Sequence, residues 1–110
     1  MIKKEELPAC PVATTVNLIG NKWKLLILRN LFTKPYRFNE LKKSLEGISH
    51  KVLTDNLKDM VKAGIINRIE YDEKILHTEY KLTDLGESMR PIMDALENWG
   101  SWYKRQKINS

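Results

Sequence analysis

Apolar positions recur every three or four residues through the first third of the chain, which is the period of an amphipathic helix. A first helix is expected from Pro11 to Gly20, since proline suits the first helical turn and glycine a helix end. A second helix is expected from about Lys22 to Phe32. The Lys34-Pro35 pair then ends it, because the proline ring removes a backbone donor and disfavours helix in the residue before it.

Two short helices with a tight turn between them are predicted in the middle of the chain. Tyr36-Arg37-Phe38 alternates like a brief strand, and Asn39 can then cap a third helix, Glu40 to Leu45. Gly47 supplies the turn. Ser49 caps a fourth helix that runs to Ala63, where the glycine that follows ends it. This order is typical of a helix-turn-helix.

The last third of the chain predicts a β-hairpin followed by a long helix. Ile65 to Tyr71 and Thr78 to Leu82 are rich in β-branched and aromatic residues, and a polar segment joins them. Thr83 can cap a closing helix from Asp84 to about Lys104, which Pro91 interrupts and is expected to kink. The predicted fold is mainly α with a small β-hairpin, arranged as a winged helix-turn-helix.

Length and composition favour one small domain. The chain has 110 residues, of which 42% are hydrophobic, enough for one core. We expect a flexible segment at 1–8, a folded domain at 9–105 and a tail at 106–110. No apolar run approaches the roughly 18 residues that cross a bilayer, and no secretory signal is visible, so no membrane partner is expected. One cysteine, Cys10, leaves no internal disulfide and fits a cytoplasmic protein.

The net charge of +5 favours an anionic partner only weakly, because the cations are unevenly placed. Lys and Arg outnumber Asp and Glu by 6 to 2 in residues 1–36, but by only 8 to 7 in residues 37–77 and 5 to 5 in residues 78–110. The case for nucleic acid therefore depends on which face carries the cations.

The fourth helix has the face that would contact DNA. Leu53, Leu57 and Met60 share its core side, whereas lysines and short polar groups share the other. A solvated charged face gives the same pattern, so the helix alone leaves both interpretations open. The preceding short helix and the following cationic hairpin favour DNA. Asp55 and Asp59 depart from this pattern, since carboxylates that face phosphate repel it. Asp55 could instead accept a hydrogen bond from a cytosine amino group or pair with Lys51 or Lys58. The expected DNA contacts are Arg37, Asn39, Ser49, His50, Lys51, Thr54, Asp55, Lys58, Arg68, Lys74 and His77.

Short sequence blocks along nearly the whole chain carry a family resemblance. They are Cys10-Pro11, Leu18-Ile19-Gly20-Asn21-Lys22-Trp23, Leu26-Ile27-Leu28, Arg37-Phe38-Asn39-Glu40-Leu41, Gly47-Ile48-Ser49, Lys51-Val52-Leu53-Thr54, Leu57, Gly64-Ile65-Ile66, Tyr80-Lys81-Leu82-Thr83, Leu85-Gly86 and Trp99-Gly100. In this order, over roughly residues 9–103, they resemble the HxlR-type winged helix-turn-helix regulators.

The resemblance implies a dimeric bacterial or archaeal transcription regulator, either a repressor or an activator. It implies that helix 49–63 enters the major groove and that the 65–82 wing follows the backbone or minor groove. By position, Ser49, Lys51 and Thr54 match the family's pattern for the helix that contacts bases. His50 stands where glutamine is commoner. Dimerisation through the first and last helices is also implied.

The last helix carries more apolar and aromatic surface than one small core should require. These side chains either close the core against Trp23 and the first helix or form a dimer interface, and large aromatics favour the interface. A two-fold dimer predicts a pseudo-palindromic operator with half-sites about one helical turn apart. The expected interface residues are Val12, Val16, Ile19, Ile92, Met93, Leu96, Trp99, Trp102 and Tyr103.

Cys10 is a candidate redox or electrophile sensor. It precedes the first helix, with Lys3 and Lys4 nearby in sequence, and a helix N-terminus and cations both stabilise a thiolate. Members of the resembling family include thiol sensors with a cysteine at this place. The alternative is a small buried thiol that packs where two subunits meet.

Other classes of function have less support. The chain has two histidines, His50 and His77, and no glycine-rich phosphate loop or partnered nucleophile, so neither an enzyme nor a metal or cofactor site is expected. The stronger alternative is a winged-helix module that binds another protein without binding DNA, which the near-neutral residues 37–77 favour.

Overall fold

The computed structural model of the protein describes residues 2–72 and 77–106. A short 3-10 helix at Lys4–Glu6 lies in the segment expected to be flexible, and Ile2 packs against the core. The remaining elements are α1 (Pro11–Ile19), α2 (Lys22–Leu31), β1 (Tyr36–Arg37), α3 (Phe38–Ser44), α4 (His50–Lys62), β2 (Ile66–Tyr71), β3 (His77–Leu82), α5 (Asp84–Glu87) and α6 (Arg90–Arg105). The expected mainly helical fold with a small hairpin is confirmed.

The turn and the second helix of the helix-turn-helix form as their residues predict. Gly47 has a φ of +89°, a conformation that costs glycine little and other residues more. Ser49 then caps α4, because its hydroxyl accepts a hydrogen bond of 3.1 Å from the Val52 N–H. Gly64, with a φ of +79°, follows the end of α4 and leads into β2. These two glycines set the length and the direction of α4.

The strand predicted before α3 pairs with the hairpin, so the sheet has three antiparallel strands in the order β1-β3-β2. Tyr80 of β3 is paired with Tyr36 on one side and with Arg68 on the other. The middle of β3 is therefore paired with the strand that precedes the helix-turn-helix, which fixes the wing relative to α3 and α4.

Two sequence predictions about helix ends are wrong. Arg37, not Asn39, is the residue before the first turn of α3, and the Glu40 carboxylate accepts a 2.8 Å hydrogen bond from the Arg37 N–H. That hydrogen bond, assisted by nearby cations, lowers the pKa of Glu40. The closing helix is not a single kinked helix but two, α5 and α6. Pro91 lies in the first turn of α6, since in a continuous helix its ring would clash with the Glu87 carbonyl.

The core lies between α2, α3, α4 and the sheet. Leu53, Leu57 and Met60 of α4 are fully buried, as their helical spacing predicts. Two polar contacts also join α2 to α4: Asn21 donates to Asn56 at 3.0 Å, and Lys24 pairs with Asp59 at 3.4 Å. In the part of the chain that the structure describes, no helix is long and apolar enough to cross a membrane. The Asn21–Asn56 and Lys24–Asp59 contacts, together with the buried leucines, hold α4 with its other face outward.

Candidate nucleic-acid interface

The outward face of α4 carries exposed charged side chains close to its N-terminal end. The Lys51 side chain is 84% exposed, and its Nζ lies 2.6 Å from Asp55 Oδ2 one turn later. This hydrogen bond raises the pKa of Lys51 and lowers the pKa of Asp55. Of the alternatives for Asp55, pairing with Lys51 is therefore observed. Lys58 is exposed on the following turn.

A groove separates α4 from the sheet, and we call it the helix–wing groove. From α4 it is lined by His50, Thr54 and Lys58, and from the wing by Arg68. Phe38 also lines the groove, and its ring centroid lies 4.9 Å from that of His50. The fold thus brings side chains from the predicted recognition helix and the predicted wing to one concave surface.

A second groove, which we call the β1–wing groove, adjoins the first. Arg37, Asn39 and His77 line it, and the His77 ring stacks on Tyr71 with 4.8 Å between centroids. Phe38 lines both grooves. Seven of the eleven residues expected to contact DNA therefore line two neighbouring grooves. We use the term reading surface for these two grooves together with the outward face of α4.

Arg68 of the wing is held in place by neighbours on the sheet. Its Nη1 donates to Glu70 Oε1 at 2.6 Å, and these residues share one face of β2 because they are two positions apart. The hydrogen bond to Glu70 is the main reason that the pKa of Arg68 is raised, and a hydrogen bond to Tyr80 adds to the effect. The guanidinium therefore keeps its charge next to the groove.

Two of the expected DNA contacts differ from the sequence-based prediction, and a third is outside the part of the chain that the structure describes. The Thr54 hydroxyl oxygen is buried and has no hydrogen-bond partner among the described residues, so this conformation does not present it to a base. The Ser49 hydroxyl is engaged as the α4 cap. Lys74 lies outside the described residues. Each of the first two differences arises because a helical wheel gives a direction but neither depth nor local hydrogen bonding.

The groove walls include residues that the sequence did not single out for this surface. Phe38, Thr78 and Tyr80 line the helix–wing groove, and Glu70 lines the β1–wing groove. The two-residue period of a strand could have found three of them, since Thr78 and Tyr80 share a face of β3 and Glu70 shares one with Arg68.

Large apolar side chains are also exposed on α6 and on α1, outside the reading surface. Trp99 is 62% exposed and its ring stacks on Tyr103 with 5.2 Å between centroids. Val12 of α1 is 71% exposed. The alternative in which these side chains close the core is therefore wrong for most of them. The exposed members are Val12 and Val16 of α1 and five residues of α6, which we call the α6 face: Ile92, Leu96, Trp99, Trp102 and Tyr103.

Two residues expected at a dimer interface lie in the core instead. Ile19 is 4% exposed and Met93 is 8% exposed, so little of either remains for a partner. Met93 is one position from the exposed Ile92, a step of about 100° around the helix, which turns its side chain towards the core. The sequence therefore predicted apolar interface faces on α1 and α6 that are wider than the exposed ones.

Cys10 is exposed and immediately precedes α1. Its carbonyl accepts from the Thr14 N–H at 2.9 Å, and the Thr14 hydroxyl also approaches this carbonyl at 3.2 Å. The backbone at Cys10 is thus anchored to the first turn of α1, while the thiol is accessible within the single chain.

Comparisons with known proteins point to regulation of transcription. A family model described as HxlR-like helix-turn-helix matches residues 18–108. An uncharacterised HTH-type transcriptional regulator of Methanothermobacter thermautotrophicus is 41% identical over 101 residues, which are 92% of this chain and 77% of the relative. YdeP of Bacillus subtilis, also named an HTH-type transcriptional regulator, is 35% identical over 100 residues, 91% of this chain and 78% of YdeP.

A solved structure with the same fold is that of the redox regulator HypR. Its reduced form matches with a TM-score of 0.83 and 30% identity, over 87% of this chain and 95% of HypR. Its oxidised form matches with a TM-score of 0.80 and 33% identity, over 84% of this chain and 95% of HypR. Since the family model spans most of the sequence and a relative is 41% identical over 92% of it, the chain belongs to the HxlR-like helix-turn-helix family of transcriptional regulators.

Proposed function

We propose that the protein regulates transcription in the cytoplasm by binding double-stranded DNA in a sequence-specific manner as a homodimer. In this proposal α4 enters the major groove by its first turn, which carries His50 and Lys51. Lys51 binds a phosphate beside the groove. Arg68 and His77 of the wing, with Arg37, contact the sugar-phosphate backbone or the minor groove. The carrying observation is the helix–wing groove, which gathers His50, Lys58 and Arg68 on one concave face.

The proposed dimer pairs the α6 face with its copy in a second chain. Trp99, Trp102 and Tyr103 are each about half exposed or more, and large aromatic side chains are typical of interface centres. A two-fold axis through this face would present two α4 helices to one side of a duplex. The operator would then be a pseudo-palindrome with half-sites about one helical turn apart.

Removing the positive charge of Lys51 or of Arg68 should weaken DNA binding. An operator is first selected from a random duplex library, and its affinity is then measured between about 50 and 200 mM salt. Lys51→Ala and Arg68→Ala are each expected to lower the affinity by about tenfold. Each should also reduce the slope of log affinity against log salt by about 0.9 for every phosphate that the variant no longer neutralises. Fluorescence anisotropy of a labelled duplex gives both quantities.

Lys104→Ala is the matched control, since it removes one exposed lysine from the last turn of α6. It should change the affinity by less than about twofold. If all three variants bind as tightly as the wild type, the reading surface has been assigned to the wrong face. If the wild type shows no salt-dependent binding to any duplex, the alternative of a protein-binding winged-helix module is supported instead.

We also propose that modification of Cys10 changes DNA affinity by moving one subunit relative to the other. Two features support this: the thiol is exposed beside α1, and the related HypR is a redox regulator with solved reduced and oxidised forms. Because the chain has one cysteine, a disulfide would have to join two subunits.

Treatment with diamide should shift the operator affinity of the wild type by at least about fivefold and leave Cys10→Ser unchanged. A covalent dimer on a non-reducing gel should accompany the shift. Methylglyoxal, which forms adducts, separates an electrophile response from an oxidant response. Equal insensitivity of both proteins to both reagents would leave Cys10 a structural thiol.

A further inference from the structure

Lys51 of α4 and Arg68 of the wing are exposed cations, and each is already paired with a carboxylate. Lys51 Nζ lies 2.6 Å from Asp55 Oδ2, and Arg68 Nη1 lies 2.6 Å from Glu70 Oε1. One pair lies within a helix and the other within a strand, so they arise from different local geometries. Both nevertheless lie on the reading surface, with the side chains about half exposed or more. The two cations proposed to bind phosphate therefore have an internal anion in its place.

We propose that Asp55 and Glu70 compete with DNA phosphate for Lys51 and Arg68, and so limit the affinity of the protein for any duplex. This inference rests on the proposed function and concerns the same surface. Binding exchanges a carboxylate partner for a phosphate partner at each cation. The carboxylate released by the exchange then lies near the negatively charged backbone, which opposes binding further.

The competition is strong enough to measure and weak enough to be overcome. Exposed ion pairs are weak in water, so the competition from one pair lowers the affinity for DNA by at most about fivefold. In a homodimer each pair occurs twice, so the two copies multiply. Because non-specific binding depends almost entirely on phosphate contacts, the two carboxylates act directly on the affinity for non-specific DNA.

Substitution by the isosteric amide tests the competition. Asp55→Asn and Glu70→Gln should each raise the affinity for a random-sequence duplex by about fivefold at about 50 mM salt. The gain should shrink as salt rises, since exposed charges are screened. The double variant should gain more than either single variant. Unchanged thermal unfolding would show that these substitutions act on binding rather than on the fold.

Glu87→Gln is the matched control, because it makes the same change of charge and releases Arg90 from a 3.2 Å pair on α5 and α6. Its affinity should stay within about twofold of the wild type. If Glu87→Gln raises the affinity for DNA as much as Asp55→Asn does, net charge explains the gain and the competition is wrong.

A double-mutant cycle separates competition for the lysine from simple repulsion. The gain from Asp55→Asn should fall by at least half in a Lys51→Ala background. An undiminished gain, or a loss of affinity on Asp55→Asn in the wild-type background, would overturn the proposal for this pair. If wild-type binding is steeply salt-dependent but no amide variant gains affinity, only the competition fails. If the wild type ignores duplex DNA at low salt, the proposed function fails with it.

Discussion

Replacing Leu96 with aspartate is expected to make the protein monomeric and to weaken operator binding by about 100-fold or more. Leu96 lies on the α6 face and is 46% exposed in the single chain, so the substitution should leave the fold of the monomer intact. In a dimer of this variant, the two new carboxylates would be buried in an apolar interface, where unpaired charge is strongly unfavourable. A monomer that binds one half-site lacks the effective concentration that a linked second site provides, which is typically worth about 100-fold or more.

Ser101→Asp is the matched control for this variant. It adds the same charge to an exposed position of α6 on the side of the helix away from Leu96. Sedimentation equilibrium should find a monomer for Leu96→Asp and a dimer for both the wild type and Ser101→Asp. If Leu96→Asp remains a dimer with unchanged operator affinity, the subunits associate through another surface.

Gly86→Ala is expected to destabilise the fold by about 2–3 kcal/mol, a typical cost of overpacking a tight contact. Gly86 is buried in α5, and an added Cβ would lie only 2.2 Å from the Ile65 carbonyl oxygen. That carbonyl already accepts hydrogen bonds from both the N–H and the hydroxyl of Thr83. Since the atom in the way is fixed backbone rather than a mobile side chain, α5 would have to move away from the base of the wing.

Gly100→Ala provides the comparison, because a Cβ at Gly100 meets nothing within 4 Å in the described chain. Alanine also favours helix over glycine by about 1 kcal/mol, so this variant should be as stable as the wild type or more so. Urea unfolding followed by circular dichroism measures both variants. Equal unfolding midpoints for Gly86→Ala and the wild type would mean that α5 is not packed against Ile65 as described.

Helix and strand positions could be predicted from the sequence where the signal is local. The Ser49 cap, the positive φ at Gly47 and the buried spacing of Leu53 and Leu57 depend on neighbouring residues, and all are observed. The split between α5 and α6 is less visible. A proline within a helical pattern can either kink a helix or begin a new one, and tertiary packing decides between them.

The reading surface could be predicted only in outline, because depth depends on contacts between distant parts of the chain. A helical wheel directs Thr54 outward, yet its hydroxyl oxygen is buried. Asp59, a departure from a DNA-facing pattern, is explained by its pair with Lys24 of α2, which is far away in sequence. Ile19 and Met93 similarly required the packed core to show that they face inward.

A footprint of the purified protein on its selected operator tests whether two copies of α4 bind the major groove of one duplex. We expect two protected regions related by a two-fold axis, with centres about one helical turn apart and protection of major-groove base edges in each. Protection of one asymmetric region, or no protection at salt low enough for electrostatic binding, would contradict it.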